Sequence, residues 1–148
     1  MLLTPIVVFD DVLKTGVPRI DRELLAAGNR IRDLEGTRIP VVLADPDAGA
    51  VLAGLFGERV YAGHWSLTPG FMGKSDQLGK AGLGTSGSSR SGYDGARLAR
   101  LLHESKADYI LVESAAPAAQ AIAACSRSKP IFEGERWIAV STAGWSCP

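Results

Sequence analysis

The chain is poor in the residues that bind metals or cross-link small domains. It has two cysteines, Cys125 and Cys147, and two histidines among 148 residues. The cysteines form no CxxC pair, and so few sulfur and imidazole groups argue against a structural zinc site. Either the two cysteines form a disulfide in an exported protein, or Cys125 is a buried thiol on a helix and Cys147 is free. We favour the second interpretation. We predict no metal and no cofactor.

Net charge and long apolar runs are also lacking. Lysine and arginine together number 16, and so do aspartate and glutamate. Such a chain has no broad basic field of the kind that nucleic-acid binding usually needs, so we predict no nucleic-acid partner. No stretch approaches the roughly 20 apolar residues of a transmembrane helix. Residues 1–9 are apolar but interrupted by Pro5. We interpret residues 1–19 as a lead-in, or as the trimmed end of a preceding membrane segment.

The composition that is present is that of a folded domain. Hydrophobic residues make up 46% of the chain, which argues against disorder. A chain of this length fits one domain and can bury roughly two-thirds of its unfolded surface without a metal or disulfide. We therefore predict a single α/β domain over residues 1–148.

Hydrophobic periodicity gives the order of the elements. The predicted elements are a helix at 20–35, a strand at 39–44, a helix from 46 to 57, a strand at 59–63, a helix ending near 105, a strand at 108–113, a helix at 115–125, and paired strands at 130–133 and 137–141. Strands and helices that alternate with short connections are typical of parallel βαβ units. We predict a βαβ-type, Rossmann-like three-layer fold. Its sheet is mostly parallel, with four or five strands, and it closes with a C-terminal β-hairpin.

The segment at 64–92 has the weakest pattern. A short helix within 71–83 is compatible with it, but the glycines there argue against a long one. Residues 82–92 are rich in glycine and serine and predict a flexible loop. The letters GxGxxG occur at 82–87, but no apolar strand precedes them, so they do not indicate a dinucleotide site.

Polar residues follow three of the predicted strands. Asp45, His64 and Glu113 come at or just past their carboxyl ends, and ligands of parallel sheets bind at that edge. We therefore predict a polar ligand, such as a sugar or a phosphate, in a crevice shared by these residues, with His64 at the end of a central strand. The candidate ligand-binding residues are Asp45, Tyr61, His64, Trp65, Ser66 and Thr68.

Each of these residues also has a structural interpretation. The amphipathic ring of Trp65 suits stacking on the face of a sugar, but the ring could instead cover the edge of the core. His64 could bind a ligand or bond to nearby backbone. For Asp45 we favour a structural role, as the N-cap of the helix that Pro46 begins.

The segment 59–69, RVYAGHWSLTP, carries a family resemblance. Together with the element order over 20–140, it resembles the soluble carboxyl-terminal domain of bacterial polytopic membrane glycosyltransferases of the GT-C, mannosyltransferase-like class, in which an element similar to G-R-R-V-Y-x-G-H-x-x-x-T-P occurs. The matching positions are Tyr61, Gly63, His64, Thr68, Pro69 and the segment 107–112. The loop at 82–92 departs from the apolar helix that usually follows the Thr-Pro pair.

The resemblance implies a non-catalytic accessory domain on the extracytoplasmic, periplasmic side of a bacterial membrane. The acidic catalytic residues of such enzymes are expected near their membrane segments, and none of those is in this chain. The domain would bind a glycan or a lipid-linked sugar, or dock on the membrane-embedded part of its parent protein. Without the resemblance, we would expect a cytoplasmic protein.

Two other hypotheses stay open. In the first, the chain is a stand-alone α/β hydrolase or transferase in which His64 is the general base and Asp45 or Glu113 orients it. That hypothesis requires a carboxylate within hydrogen-bond reach of the imidazole. In the second, the turn at 63–69 is purely structural and packs against a neighbour or mediates dimerisation.

Overall fold

The computed structural model describes residues 21–84, 92–125 and 130–145. Over these residues, the elements are α1 (Arg22–Glu35), β1 (Val41–Leu43), α2 (Pro46–Phe56), β2 (Arg59–Val60), α3 (Phe71–Lys80), α4 (Gly95–Ser105), β3 (Tyr109–Glu113), α5 (Ala119–Cys125), β4 (Phe132–Glu133) and β5 (Trp137–Ser141). The predicted lead-in at 1–19 and most of the predicted loop at 82–92 lie outside the described residues.

The strands form one open sheet in the order β2-β1-β3-β5-β4. β1 pairs in parallel with β2 and with β3, whereas β5 pairs antiparallel with both β3 and β4. This confirms the α/β class with five strands and a partly parallel sheet.

The position expected for β2 was wrong, because β2 lies at an edge of the sheet and not at its centre. The strand has two residues, and the first, Arg59, is exposed. Central β3, by contrast, buries four of its five residues. A charged residue on a short strand is a usual feature of sheet edges.

Helices cover both faces of the sheet, because successive strand residues point to opposite faces. One buried cluster joins alternate strand residues to α1 and α2 and includes Ile31, Val42, Leu52, Leu111 and Ala139. The other joins the intervening residues to α3, α4 and α5 and includes Leu43, Leu78, Leu98, Ile110, Ile122 and Val140. None of the helices in the described ranges is long and apolar enough to cross a bilayer.

The ends of α2 follow the cap residues read from the sequence. Asp45 Oδ1 accepts hydrogen bonds from the amides of Asp47 (2.9 Å) and Ala48 (3.0 Å). Pro46 is the first helical residue, where its missing N–H costs nothing. Gly57 ends the helix with a left-handed φ of 68°. The capping role of Asp45 is confirmed.

Cys125 lies half-buried at the end of α5 and is disulfide-bonded. The interpretation of Cys125 as a buried free thiol is therefore wrong. The other cysteine of the sequence, Cys147, lies outside the described residues.

Hydrogen bonds join the start of α1 to the connection between β4 and β5. Asp21 caps α1 through Oδ1, which accepts from the Glu23 amide at 2.9 Å. Its Oδ2 accepts from the Trp137 indole (2.9 Å) and from the Arg136 guanidinium (3.0 Å). The Glu23 carboxylate accepts from three consecutive amides, those of Glu135 (3.1 Å), Arg136 (2.8 Å) and Trp137 (3.2 Å).

Replacing Asp21 by alanine should therefore lower the free energy of unfolding by about 2 kcal/mol, because the helix cap and the indole hydrogen bond are both lost. Asp21→Asn can still cap the helix, so we expect a smaller loss. Urea unfolding, monitored by circular dichroism, measures the loss of stability in both variants. Equal stability of the alanine variant and the parent at pH 7 would contradict this role for Asp21.

The effect of Asp21 should also depend on pH. Burial acts to raise the pKa of Asp21, but hydrogen bonds from Trp137 and the Glu23 amide, together with the charge of Arg136, hold it below its usual 3.8. A carboxylate with a lowered folded pKa stabilises the native state above its unfolded pKa and loses that contribution as pH falls. The difference between parent and Asp21→Ala should therefore shrink below about pH 3.8.

Candidate ligand-binding site

The residues after β2 form a tight turn braced by its own polar groups. The Gly63 amide donates to Thr68 Oγ1 at 3.1 Å. The amides of Leu67 and Thr68 donate to the His64 carbonyl at 3.0 and 3.1 Å. Ser66 lies against the His64 ring, with Oγ 2.8 Å from Nδ1, and its amide donates to the same nitrogen at 3.4 Å.

This arrangement assigns the tautomer of His64. Because Nδ1 accepts from the Ser66 amide, the ring proton of the neutral imidazole lies on Nε2. Within the described part of the chain, Nε2 has no hydrogen-bond partner. The Nε2–H group is therefore available to donate to a ligand.

The position of the turn depends on a close approach between α2 and the chain that leaves β2. A Cβ atom at Gly49 would lie 2.2 Å from the carbonyl oxygen of Ala62. Only glycine allows the two backbones to come this near. Gly49 thus places the start of the turn, at Gly63, directly against α2.

Trp65 projects from this turn into solvent. Its side chain is 70% exposed, so the interpretation that it covers the edge of the core is wrong. Its ring centroid lies 5.8 Å from that of His64, with 33° between the planes. Beside it is a cavity of about 490 Å³, which is lined by Trp65, Thr68, Gly70, Phe71, Met72 and Gly73.

A second cavity, of about 330 Å³, lies between α2, the turn and α3. Its polar side chains come from Tyr61, His64, Thr68 and Lys74. Thr68 lines both cavities, so the two are neighbours. Three of the predicted ligand-binding residues, Tyr61, His64 and Thr68, therefore share one cavity, and Trp65 borders the next. Ser66 is linked to these residues by its contact with the His64 ring.

Lys74 of α3 lines the second cavity, and Gln77 of the same helix bonds to Tyr61 in its wall; the sequence interpretation missed both. The Lys74 ammonium lies 5.1 Å from the centroid of the Tyr61 ring, and the Tyr61 hydroxyl donates to Gln77 Oε1. Burial raises the pKa of Tyr61, and the charge of Glu104 adds to the shift, so the phenol stays a hydrogen-bond donor at neutral pH. The available signal was the i, i+3 spacing of Lys74 and Gln77, but the glycines at 73 and 79 obscured the helix.

Asp45 and Glu113 line neither cavity. Asp45 is 9% exposed, and burial raises its pKa, with the charges of Asp47 and Glu113 adding to the effect. Glu113 Oε1 is 2.9 Å from the Arg136 guanidinium. These two carboxylates are therefore near each other at the ends of β1 and β3, where the parallel pairing predicts them.

The structure does not bring these carboxylates to His64. In the described ranges no carboxylate forms an ion pair or a hydrogen bond with the His64 imidazole, whose partner is Ser66. The same residues contain no group of three potential metal ligands placed to hold an ion. The described residues therefore place no orienting acid beside the imidazole.

Comparisons of the chain with protein-family models, curated proteins and solved structures found no match.

Proposed function

We propose that this chain is a glycan-binding, non-catalytic accessory domain of a membrane glycosyltransferase-like protein. The resemblance of the segment 59–69 to the soluble domain of such proteins motivates the proposal. In this proposal the domain is a Rossmann-like three-layer fold that closes with a hairpin of β4 and β5, and the turn at 63–69 is its binding surface.

The observation that carries the proposal is the exposed indole of Trp65 beside two cavities. Large aromatic side chains are usually covered, and an exposed one held on a rigid turn offers a flat apolar face. The apolar face of a sugar ring can stack on such a surface. His64 and Thr68 line the adjoining cavity, so the Nε2–H of His64 and the hydroxyl of Thr68 are candidates to bond sugar hydroxyls.

The partners of the other polar groups support binding over catalysis. Asp45 caps α2, Glu113 is paired with Arg136, and His64 contacts Ser66. A general base needs a position near the reacting proton and a group that orients it. The two carboxylates considered for the orienting role are engaged elsewhere.

The surroundings of Trp65 support a location at a membrane. Leu67 and Met72 are 82% and 80% exposed, Met72 lines the same cavity as Trp65, and Leu67 lines the neighbouring one. Exposed apolar patches mark contacts with proteins, lipids or ligands. The disulfide of Cys125 is typical of an oxidising, extracytoplasmic compartment. Both observations fit an accessory domain that docks on the membrane-embedded part of its parent or receives a lipid-linked sugar.

We expect Trp65→Ala to weaken glycan binding by roughly tenfold, the effect of losing about 1.4 kcal/mol of stacking. The test is calorimetric titration with neutral tetrasaccharides of glucose, mannose and galactose, and with acidic sugars. In the parent protein, tryptophan fluorescence should also change on binding, because the exposed Trp65 senses the ligand. Trp137, at 4% exposed, should respond little.

Leu34→Ala is the matched control, because Leu34 is an exposed apolar residue on α1 that lines neither cavity. The Leu34→Ala variant should bind glycans with the affinity of the parent protein. Since Trp65 makes few buried contacts, Trp65→Ala should keep the parent's thermal midpoint. Absence of binding to every neutral and acidic sugar, or equal affinity of parent and Trp65→Ala, would refute the proposed function.

A further inference from the structure

The smaller cavity beside the turn is lined by a lysine that pairs with no carboxylate of the described residues. Among those residues, no aspartate or glutamate lines either cavity. Lys74 forms no ion pair with them, and its ammonium contacts the Tyr61 ring. Lys80, on the same helix, is by contrast paired with Asp76 at 2.6 Å.

The Lys74 ammonium is held in place before any ligand arrives. It lies 5.1 Å from the centroid of the Tyr61 ring, within the range of a cation–π contact. Tyr61 is in turn fixed by its hydrogen bond to Gln77. A cation oriented in this way loses less side-chain freedom on binding than a freely rotating surface lysine.

Three of the four polar side chains that line this cavity can donate to a ligand, whereas the Tyr61 hydroxyl already donates to Gln77. Lys74 has only donor hydrogens, and the His64 ring offers Nε2–H. Thr68 Oγ1 already accepts from the Gly63 amide, so its own hydrogen is left to donate. A cavity of about 330 Å³ with these three donors, and with no carboxylate from the described residues, complements a group that is rich in acceptors and negatively charged.

We propose that the glycan bound at this site is anionic: a sugar whose carboxylate or phosphate contacts Lys74, His64 and Thr68 while its ring stacks on Trp65. This inference rests on the proposed glycan-binding function and adds the class of ligand. The carboxylate of a uronic acid and the phosphate of a phosphorylated sugar share the required chemistry.

Three ligands with the same ring distinguish these sources: glucose, glucuronate and glucose 6-phosphate differ only at C6. Titrating each into ¹⁵N-labelled protein, we expect shifts of the Gly63, Ser66 and Thr68 amides. At least one anion should bind roughly tenfold more tightly than glucose, as hydrogen bonds to charged groups usually allow. The preference should shrink at high salt, because salt screens a partly exposed charge. The relative affinities of glucuronate and glucose 6-phosphate identify the anionic group.

Variants of α3 test the role of the charge. Lys74→Met should remove the preference for anions but leave glucose binding, and Lys74→Arg should keep the preference. Lys80→Met is the matched control, since it makes the same change of charge on the same helix outside both cavities. Thermal unfolding of each variant checks that the fold is retained.

The outcomes separate this inference from the proposed function. If all three sugars bind equally and Lys74→Met changes nothing, the glycan function stands and the anionic ligand is refuted. If none of the three sugars shifts the turn, the anionic ligand is refuted, and the glycan function fails too if the tetrasaccharides also do not bind. If inorganic phosphate alone binds as tightly as glucose 6-phosphate, and Trp65→Ala has no effect, the site is a simple anion site and the inference is again overturned.

Discussion

Replacing Gly49 by alanine is expected to lower the free energy of unfolding by about 3 kcal/mol, the upper part of the range for overpacked positions. The added Cβ would lie 2.2 Å from the Ala62 carbonyl oxygen and 3.3 Å from its carbon. Both are backbone atoms, so no rotation of a side chain can relieve the contact. The helix α2 or the chain after β2 must move instead.

Gly54→Ala provides a matched control on the same helix. Apart from the adjacent backbone of its own helix, no heavy atom lies within 4 Å of a Cβ built at Gly54. Because alanine favours helix over glycine, this variant should be more stable than the parent by about 0.5–1 kcal/mol. Urea unfolding of the two variants side by side measures both effects. Equal stability of Gly49→Ala and Gly54→Ala would show that the close approach at Gly49 is not a constraint.

The Gly49 variant should also affect the site. Ala62 and Gly63 lead directly into the turn that carries His64 and Trp65, so a shift of this chain displaces the binding residues. Sugar affinity should therefore fall in Gly49→Ala even under conditions in which the variant is fully folded. The displacement can be followed by the amide shifts of residues 63–68.

The second large effect is expected at Glu58, whose stability contribution should change with pH. Glu58 is 6% exposed, and neither of its carboxyl oxygens has a hydrogen-bond partner within the described residues. Burial raises its pKa from 4.5 to about 7, against the attraction of the nearby Arg32 charge. The folded state therefore keeps this carboxyl protonated up to neutral pH.

The sign of the pH dependence follows from proton linkage. Between pH 4.5 and about 7 the native state binds a proton at Glu58 that the unfolded chain has released. The contribution of Glu58 to the free energy of unfolding therefore falls as pH rises through this window and is roughly constant above it. The full change corresponds to about 3 kcal/mol.

The isosteric Glu58→Gln variant isolates this contribution. It should match the parent near pH 4.5 and exceed its stability by about 3 kcal/mol at pH 8, because the amide carries no charge to bury. Glu133→Gln, at an exposed position on β4, should show no such difference between the two pH values. A gain for Glu58→Gln that is the same at pH 4.5 and pH 8 would contradict a protonated Glu58 in the native state.

Local sequence patterns were sufficient where local forces decide the structure. Asp45, Pro46 and Gly57 marked the ends of α2 because a cap acts on the nearest backbone groups. The apolar β-branched runs marked β1 and β3. The short strand–helix–strand connection predicted the parallel pairing of β1 with β2. The pairing of β1 with β3, which places Asp45 near Glu113, joins segments far apart in sequence.

The remaining features depend on contacts between residues distant in sequence. Lys74 reaches Tyr61 only because α3 packs beside the turn. The i, i+3 spacing of Lys74 and Gln77 indicates a shared helix face but not that packing. Glu58 looks like an ordinary charged residue after a helix, and its burial comes from the packing of the surrounding elements. Arg136 was not singled out, since its partners Asp21 and Glu113 are brought to it by the tertiary fold.

The attachment of α1 to the β4–β5 connection has a consequence for the order of folding. Arg136 and Asp21 are 115 positions apart along the chain, and β5 inserts between β3 and β4. The first described helix thus acquires its anchoring contacts only after the last strands have been synthesised. Contacts so distant in sequence slow folding. During synthesis, α1 and the parallel strands therefore lack their contacts with β4 and β5 until these carboxyl-terminal strands have been made.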